Sequence, residues 1–412
     1  MMSCKPGQIQ WYLPEELIFV ILLWLPAKSL MRFKAVCKAW YALIRDPSFA
    51  QTHYANSQTR PCASHLLFHI TNKILDPGSI HPASPNGAFS NQLPVHRFDA
   101  KGGAPLTSIV NGLICLWRRD GYRLDLLNLT TGEKIALPDP PDPSRAFRFK
   151  FLPSFQLGFD PIHNQYKVFY CSSMERNPFV LTLSSNMSWR KVEDVPLAKF
   201  SLSMNKYGSR NVCVDGSIFW SFERLIVDGQ RVVQYFDLAD EKFKLLSIHD
   251  QFGDGKFDSE FITNIGGKFT MAGLVKRFGG NVENHHNHES VGKITLWRLI
   301  NKNDQVWVKS EIELPEEMVS FRHFNIVGTT NTGKVLIKAY PCLPRDLRKW
   351  AWGVLLFCDL RNRGNYETRK LRFEEIDYSA KIPPWPIGLN VSLHVENILP
   401  LHLLVQSGKP NL

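Results

Sequence analysis

From residue 109 to near its end, this 412-residue chain is written in one repeating grammar. Short apolar runs break at Gly, Asp or Asn, restart, and break again, and the pattern returns near residues 109, 157, 212, 261 and 326. The period is roughly 50 residues, stretched where loops intervene. Each unit has the same order: a strand, a Gly-containing turn, a second strand, then a pair ending in an aromatic or Lys-rich strand. Ile109 to Trp117 is followed by Leu124 to Leu129, a Thr130-Thr131-Gly132-Glu133 turn and Lys134 to Leu137. Phe155 to Ser172 pairs with Val180 to Leu183 and Trp189 to Val192; Val212 to Phe222 turns at Asp215-Gly216 and is answered by Gln234 to Leu238 and Lys242 to Ile248. Phe261 to Val275 turns at Gly266-Gly267 before Ile294 to Ile300 and Trp307 to Leu314, and Ile326 to Tyr340 turns at Thr332-Gly333 before Val354 to Leu360 and Thr368 to Phe373. Three to four strands in about 50 residues make a propeller blade, and radial closure protects sheet edges that otherwise pair with other chains. The last apolar run, Leu393 to Val405, is expected to pair with His65 to Ile70 or with strands near Phe98, giving a sixth blade that joins the two ends. Two packed sheets of a β-sandwich are the alternative.

Ahead of the repeat, Trp11 to Tyr54 has a different period. Pro14 with Glu15 and Glu16 reads as a helix start, because proline tolerates the first position and acidic side chains favour the positive end of the macrodipole. Leu17, Val20, Ile21 and Trp24 recur at helical spacing until Leu25-Pro26. A second helix is expected from Lys28-Ser29, with Ser29 as cap and Leu30, Phe33, Val36 and mid-helix Cys37 on its apolar side; a third, Ala39 to Arg45, carries Trp40, Leu43 and Ile44 and closes at Asp46-Pro47. Three short helices in so few residues bury little surface, so a partner is expected. Val20, Leu22, Leu23 and Trp24 make the first helix apolar on more than one face, which packing on one side does not require.

Composition excludes several classes. The apolar run Leu17 to Leu25 falls well short of the roughly 20 residues that cross a bilayer, and Glu15 and Glu16 stand where a secretory signal needs positive charge. Eight cysteines without a Cys-x-x-Cys pair argue against a zinc site and a disulfide framework, and for a reducing compartment. The net charge of +11 is scattered, densest at Arg118-Arg119 and Arg345 to Lys349, so nucleic acid is not the expected partner. There is no phosphate-binding Gly-x-x-x-x-Gly-Lys loop, Gly-x-Ser-x-Gly elbow or His-Glu-x-x-His pair. His285-His286-Asn287-His288 is the one metal candidate and reads as a Gly/Asn-rich loop. Trp117, Trp220, Trp297 and Trp307 read as blade core. No catalytic residue, metal or cofactor is expected.

Two family resemblances follow. Leu13-Pro14-Glu15-Glu16-Leu17, Ile21-Leu22, Leu25-Pro26, Lys28-Ser29-Leu30, Arg32-Phe33-Lys34, Val36-Cys37-Lys38, Trp40, Leu43-Ile44, Asp46-Pro47, Phe49 and His53 together resemble the F-box, the segment that docks substrate receptors on the Skp-type adaptor of an SCF ubiquitin ligase. The resemblance implies that Leu13, Pro14, Leu17, Ile21, Leu22, Leu25, Pro26, Leu30, Phe33 and Val36 face the adaptor while Trp40, Leu43 and Ile44 tie the helices together. Val20, Leu23 and Trp24 depart from the acidic or polar residues usual there. Further on, Asn111-Gly112-Leu113-Ile114-Cys115, Asn128 with Thr130 to Glu133, Leu137-Pro138, Gly158-Phe159-Asp160-Pro161 with Asn164 to Val168, Trp189-Arg190, Asp215-Gly216 before Phe219-Trp220, Phe236-Asp237-Leu238, Glu241-Lys242-Phe243, Leu296-Trp297 and His394-Val395-Glu396-Asn397 resemble, by their order, the F-box-associated interaction domain of plant F-box proteins. Leu129 stands where proline is common.

The expected organisation is a polar leader over 1–10, a three-helix all-α F-box over 11–55, a linker over 56–64, and an all-β domain over 65–412, a propeller of about six blades. The resemblance implies a non-catalytic substrate-recognition subunit of a cullin-RING ligase in the cytoplasm, the nucleus or both. It binds the Skp-type adaptor and, through it, cullin and RING subunits, and presents a protein substrate whose binding residues the sequence does not reveal. A propeller-type glycan binder or nucleic-acid binder is the alternative.

Overall fold

The computed structural model describes residues 13–60, 64–71, 79–82, 96–97, 107–118, 123–141, 154–171, 178–193, 211–220, 225–227, 230–248, 260–278, 289–314, 321–330, 333–341, 352–360, 366–372 and 388–406. Four helices come first: α1 (Glu15–Leu23), α2 (Ala27–Phe33), α3 (Lys38–Arg45) and α4 (Pro47–Thr59). Pro14 starts α1 as expected, its carbonyl accepting from the amides of Leu17 and Ile18 at 3.0 and 3.1 Å. Pro26, not Ser29, stands at the start of α2, because its carbonyl already accepts from Ser29 and Leu30; Ser29 therefore lies inside the first turn. Helix α2 ends at Phe33, so Cys37 is not mid-helix. It is exposed and caps α3, its Sγ accepting from the Trp40 amide at 3.5 Å.

Asp46-Pro47 closes α3 and also opens a fourth helix that the sequence reading missed. Asp46 Oδ1 accepts from the amides of Ser48 and Phe49 at 2.8 and 3.1 Å, and Pro47 takes a first-turn position that needs no donor. The polar stretch from Asn56, expected as linker, is helical to Thr59. Leu22, Leu23, Ala27, Leu30, Ile44, Phe49 and Ala50 form the core of the helices, with Phe19 meeting Phe49 edge to face at 5.3 Å. One further core member, Ile398, comes from the far end of the chain.

The strands are β1 (Ser64–Thr71), β2 (Ser79–Pro82), β3 (His96–Arg97), β4 (Leu113–Arg118), β5 (Arg123–Asn128), β6 (Lys134–Leu137), β7 (Ser154–Asp160), β8 (Gln165–Cys171), β9 (Pro178–Thr182), β10 (Trp189–Lys191), β11 (Asn211–Val214), β12 (Ser217–Trp220), β13 (Leu225–Val227), β14 (Gln230–Asp237), β15 (Lys242–Ser247), β16 (Glu260–Ile265), β17 (Lys268–Phe278), β18 (Glu289–Asn301), β19 (Val306–Glu313), β20 (Phe321–Thr329), β21 (Lys334–Pro341), β22 (Trp352–Asp359), β23 (Tyr366–Arg372) and β24 (Gly388–Val395); a helix, α5 (Leu401–Gln406), follows. They form six antiparallel sheets. Five are built from consecutive strands, and the sixth has the order β24-β1-β2-β3, joining the two ends of the strand sequence as expected. Two sequence expectations change. Ile109 to Trp117 is not one strand, because Asn111 (φ +50°) and Gly112 (φ +78°) turn the chain before β4. The apolar run Leu393 to Val405 is strand only to Val395, and its end is α5.

First strands meet around the molecule: β4 touches β7, β7 touches β11, β11 touches β16, β16 touches β20 and β20 touches β24, while Leu67 of β1 packs on Ile114 and Leu116 of β4. The apolar cores lie between successive sheets, one joining β4–β6 to β7–β10 and others following in turn. That distribution is a propeller's; a sandwich would have one core between two sheets. Contacts between neighbours bring the tight turns to one face. Asn111 Nδ2 donates to Tyr166 Oη at 3.2 Å; Lys302 Nζ, in the β18–β19 turn, donates to Ser217 Oγ at 2.9 Å; and the Gly266 amide donates to Thr329 Oγ1 at 2.8 Å. The helices sit on this face, where Tyr54 Oη donates to Asn111 Oδ1 at 3.1 Å.

Candidate functional site

Helix α1 has two apolar stripes. Ile18, Phe19, Leu22 and Leu23 turn inward, while Leu17, Val20, Ile21 and Trp24, at spacings of three and four, lie along the other side with 50, 48, 49 and 58% of their surface exposed. Leu13 and Pro14 before the helix and Val36 after α2 are exposed as well. A single helix therefore offers water a continuous apolar face, which chains that work alone seldom do.

Arg60 fixes the last member of this face. From the end of α4 its Nη1 donates to the Trp24 carbonyl at 2.7 Å and its guanidinium lies 5.9 Å from the centre of the Trp24 ring. His53, buried beside it, shares a hydrogen bond with the Leu25 carbonyl at 3.0 Å and stacks on Phe49. Burial holds the His53 imidazole below its ordinary value, and the nearby Arg60 charge adds to that; the Leu25 carbonyl and Glu396 act the other way.

Of the residues expected to face an adaptor, Leu13, Pro14, Leu17, Ile21, Pro26 and Val36 are exposed, and Leu25 and Phe33 are half-buried. Leu22 and Leu30 have no exposed surface and belong to the helical core, where an inward-facing position on a short helix must go. Ile44 is buried with them, and Trp40 and Leu43 pack against them. The three departures separate cleanly: Leu23 is core, whereas Val20 and Trp24 complete the exposed stripe.

Beneath the helices runs a seam that the sequence reading did not assign. Glu396 Oε2 accepts from the Ala27 amide at 2.9 Å. Asn397, buried, donates through its side-chain Nδ2 to the Asn111 carbonyl at 2.6 Å, and its backbone amide donates to Thr130 Oγ1 at 2.8 Å. Asn128, fully buried, donates to the carbonyls of Asn397 and Leu399 at 2.9 and 3.1 Å while its Oδ1 accepts from the amides of Thr130 and Thr131. The motifs Asn111-Gly112, Asn128 to Glu133 and His394 to Asn397 thus converge at one place. Their spacing carried no sign of this, since the partners are up to 286 positions apart.

A second motif pair meets between sheets. Lys167, buried, donates to the Leu238 carbonyl and lies 3.3 Å from Asp160 Oδ2 and 3.0 Å from Glu241 Oε1. Gly158 in β7 leaves room for Leu238: a Cβ there would fall 2.5 Å from Leu238 Cδ1, so that buried side chain would have to shift.

Among the described residues no group of three or more His, Cys, Asp or Glu side chains is placed to hold a metal, and the His285 to His288 run lies outside them. None of the described helices is long and apolar enough to cross a membrane. None of the five described cysteines is in a disulfide; burial pushes the Cys171 and Cys358 thiols up to about 12 and Cys213 to about 11, too high for a nucleophile at neutral pH. Trp220 and Trp297 are buried in separate cores, and Trp307 packs at the edge of the second; the Trp117 side chain lies outside the described residues.

The fold and this face define a class: a helical docking module mounted on a six-sheet propeller. Comparison with known proteins agrees. A family model described as F-box-like matches residues 10–56, and one described as F-box associated beta propeller domain matches residues 78–381. The chain belongs to this family of F-box proteins with an F-box-associated propeller. It is 29% identical to the F-box protein At3g57590 of Arabidopsis thaliana, over 81% of this chain and 80% of that one. With the F-box protein At5g65850 of the same plant it shares 25% identity over 81% and 80%. Among solved structures, TolB from Acinetobacter baumannii aligns with a TM-score of 0.41 at 13% identity, over 80% of this chain and 69% of that one. The two domains together support, in general terms, a substrate-recognition role in SCF ligases, a Skp-type adaptor as partner, and an adaptor-type rather than catalytic class of protein.

Proposed function

We propose that this chain docks on a Skp-type adaptor through the exposed stripe of α1 and presents a protein substrate on its propeller to an SCF ubiquitin ligase. The carrying observation is the stripe itself: Leu17, Val20, Ile21 and Trp24, extended by Leu13, Pro14 and Val36. Each large side chain is about half-exposed, so covering it yields on the order of 1 kcal/mol. Several such gains on one face suffice for an interface once association costs are met. Leu25 and Pro26 follow Trp24 directly in the chain, Phe33 is half-buried at the end of α2, and Leu22 and Leu30 belong to the core beneath.

The substrate is held away from the helices. They occupy the face of the tight turns, which leaves the opposite ends of the strands to a partner. The chain performs no bond chemistry of its own: it raises the effective concentration of substrate lysines near the ubiquitin-charged enzyme, which cullin and RING subunits bring through the adaptor. Cysteines without a disulfide among the described residues are in keeping with a reducing compartment, and support work in the cytoplasm or nucleus.

Co-purification tests docking. The intact chain is expected to capture a Skp-type adaptor, and a Leu17→Asp, Ile21→Asp chain to lose it with an unchanged melting temperature, since both sites are exposed. Equal capture by the two chains would sink the proposal.

A further inference from the structure

The docking helices are joined to the propeller by more than the chain connection and the Tyr54–Asn111 bond. Arg60 leads by chain toward β1, and a further attachment comes from the other end of the molecule. After β24, residues 396–400 have neither helical nor strand structure, yet their groups are spent across the seam. Glu396, 369 positions from Ala27, accepts one of the amides that the start of α2 leaves without a helical partner, and its negative charge suits that end of a helix. Ile398 is a fully buried plug in the helical core. Leu399 packs against both that core and the core of the β4–β10 sheets, and Leu401 is buried in the latter. At the far side His402 lies between the two parts, one ring nitrogen 2.7 Å from Arg45 Nη2 of α3 and the other 3.3 Å from Glu133 Oε1 of the β5–β6 turn, while Glu133 Oε2 accepts from the Leu401 amide at 2.9 Å.

We propose that the segment 396–402 is a positioning element that locks the docking helices in one direction relative to the propeller, so that the two move as one body. With a single linker, relative motion between two folded units is the default. Here an apolar plug, a helix-terminus acceptor and the Arg45–His402–Glu133 bridge oppose that motion from three sides. Under the proposed function, on which this consequence rests, a fixed direction keeps whatever the propeller holds at a set distance from the enzyme, which is what makes proximity productive.

The test uses the full chain alone, with a donor and an acceptor dye attached through non-native amino acids at exposed Gln51 of α4 and Asn303 of the β18–β19 turn. Single-molecule energy transfer is expected to give one narrow population in the native chain, and to lose it to a broad one in Glu396→Ala, Ile398→Ala while the propeller still melts cooperatively. Glu396→Gln, which keeps an acceptor for the Ala27 amide, should stay narrow. A broad native population, or a narrow one in the double variant, overturns the proposal. If the double variant does not melt cooperatively, Glu396→Ala alone, which removes no core atom, is read in its place, with faster amide exchange at the start of α2 and a broadened population expected; unchanged values of both overturn the proposal. Adaptor is absent throughout, so a failure of docking and a failure of positioning show in different experiments.

Discussion

Gly112 stands at φ +78°, and a Cβ on it would lie 3.0 Å from Asn397 Cβ and 3.2 Å from the Val395 carbonyl oxygen. Both the backbone conformation and the close approach select glycine, so Gly112→Ala is expected to cost about 1–3 kcal/mol, read as a lower urea midpoint of the whole chain. Lys167 is a different case. Its ammonium reaches the fully buried Asp160 carboxylate and Glu241, so Lys167→Met leaves Asp160 to His163 and the amides of Ile162 and His163, and Glu241 to Arg190. Losing one charge-assisted contact to a buried carboxylate that keeps other donors costs about 1.5–3 kcal/mol, and a Lys167→Met chain with native stability would show that the cluster is hydrated or dispensable. Both residues were visible in sequence as members of loose motifs. Neither role was, because Asn397 and Leu238 become their neighbours only after the blades close.

The helices read well wherever their signals are local. Pro14 with two acids, and Leu25-Pro26, mark the start and end of α1 as the structure has them. Asp46-Pro47 carried the signal for α4 too, an N-cap and a first-turn proline, but the polar run behind it lacks an apolar period. Its burial instead uses Phe49, Ala50, His53 and Ser57, a mixed face that periodicity does not recognise. His53 makes this element sensitive to pH. Its folded value lies below the ordinary 6.5, so the unfolded chain binds the extra proton, and the stability tied to neutral His53 is complete above pH 6.5 and lost as pH falls toward the folded value. The urea midpoint of the helical signal should therefore fall between pH 7.5 and 5.5 more steeply in the native chain than in His53→Gln. Parallel slopes would show that other groups govern that window.

At the scale of the whole molecule, β24 is the closing strand. It pairs along all of β1, from Ser64 opposite Val395 to Thr71 opposite Gly388, and touches β20 on its other side. A chain ending after residue 387 loses the seam as well as this strand, and is expected to aggregate or to lose its cooperative melt; a sharp transition near the native temperature would mean that the ring does not depend on closure. The sequence by itself determined three of the first four helices, five of the six repeats and the family resemblance, because strand alternation, Asx-Gly turns and helix stop signals act over a few residues; α4 and α5, which lack those signals, it did not show. It also marked α1 as too apolar for one face. Only the tertiary structure decided which stripe of α1 stays exposed, that Leu22 and Leu30 are core, and that residues 396–402 bind the helices to the propeller. The burial of Leu22 and Leu30 depends on the packing of four helices against one another, and the seam on contacts between residues hundreds of positions apart, neither of which a local pattern encodes.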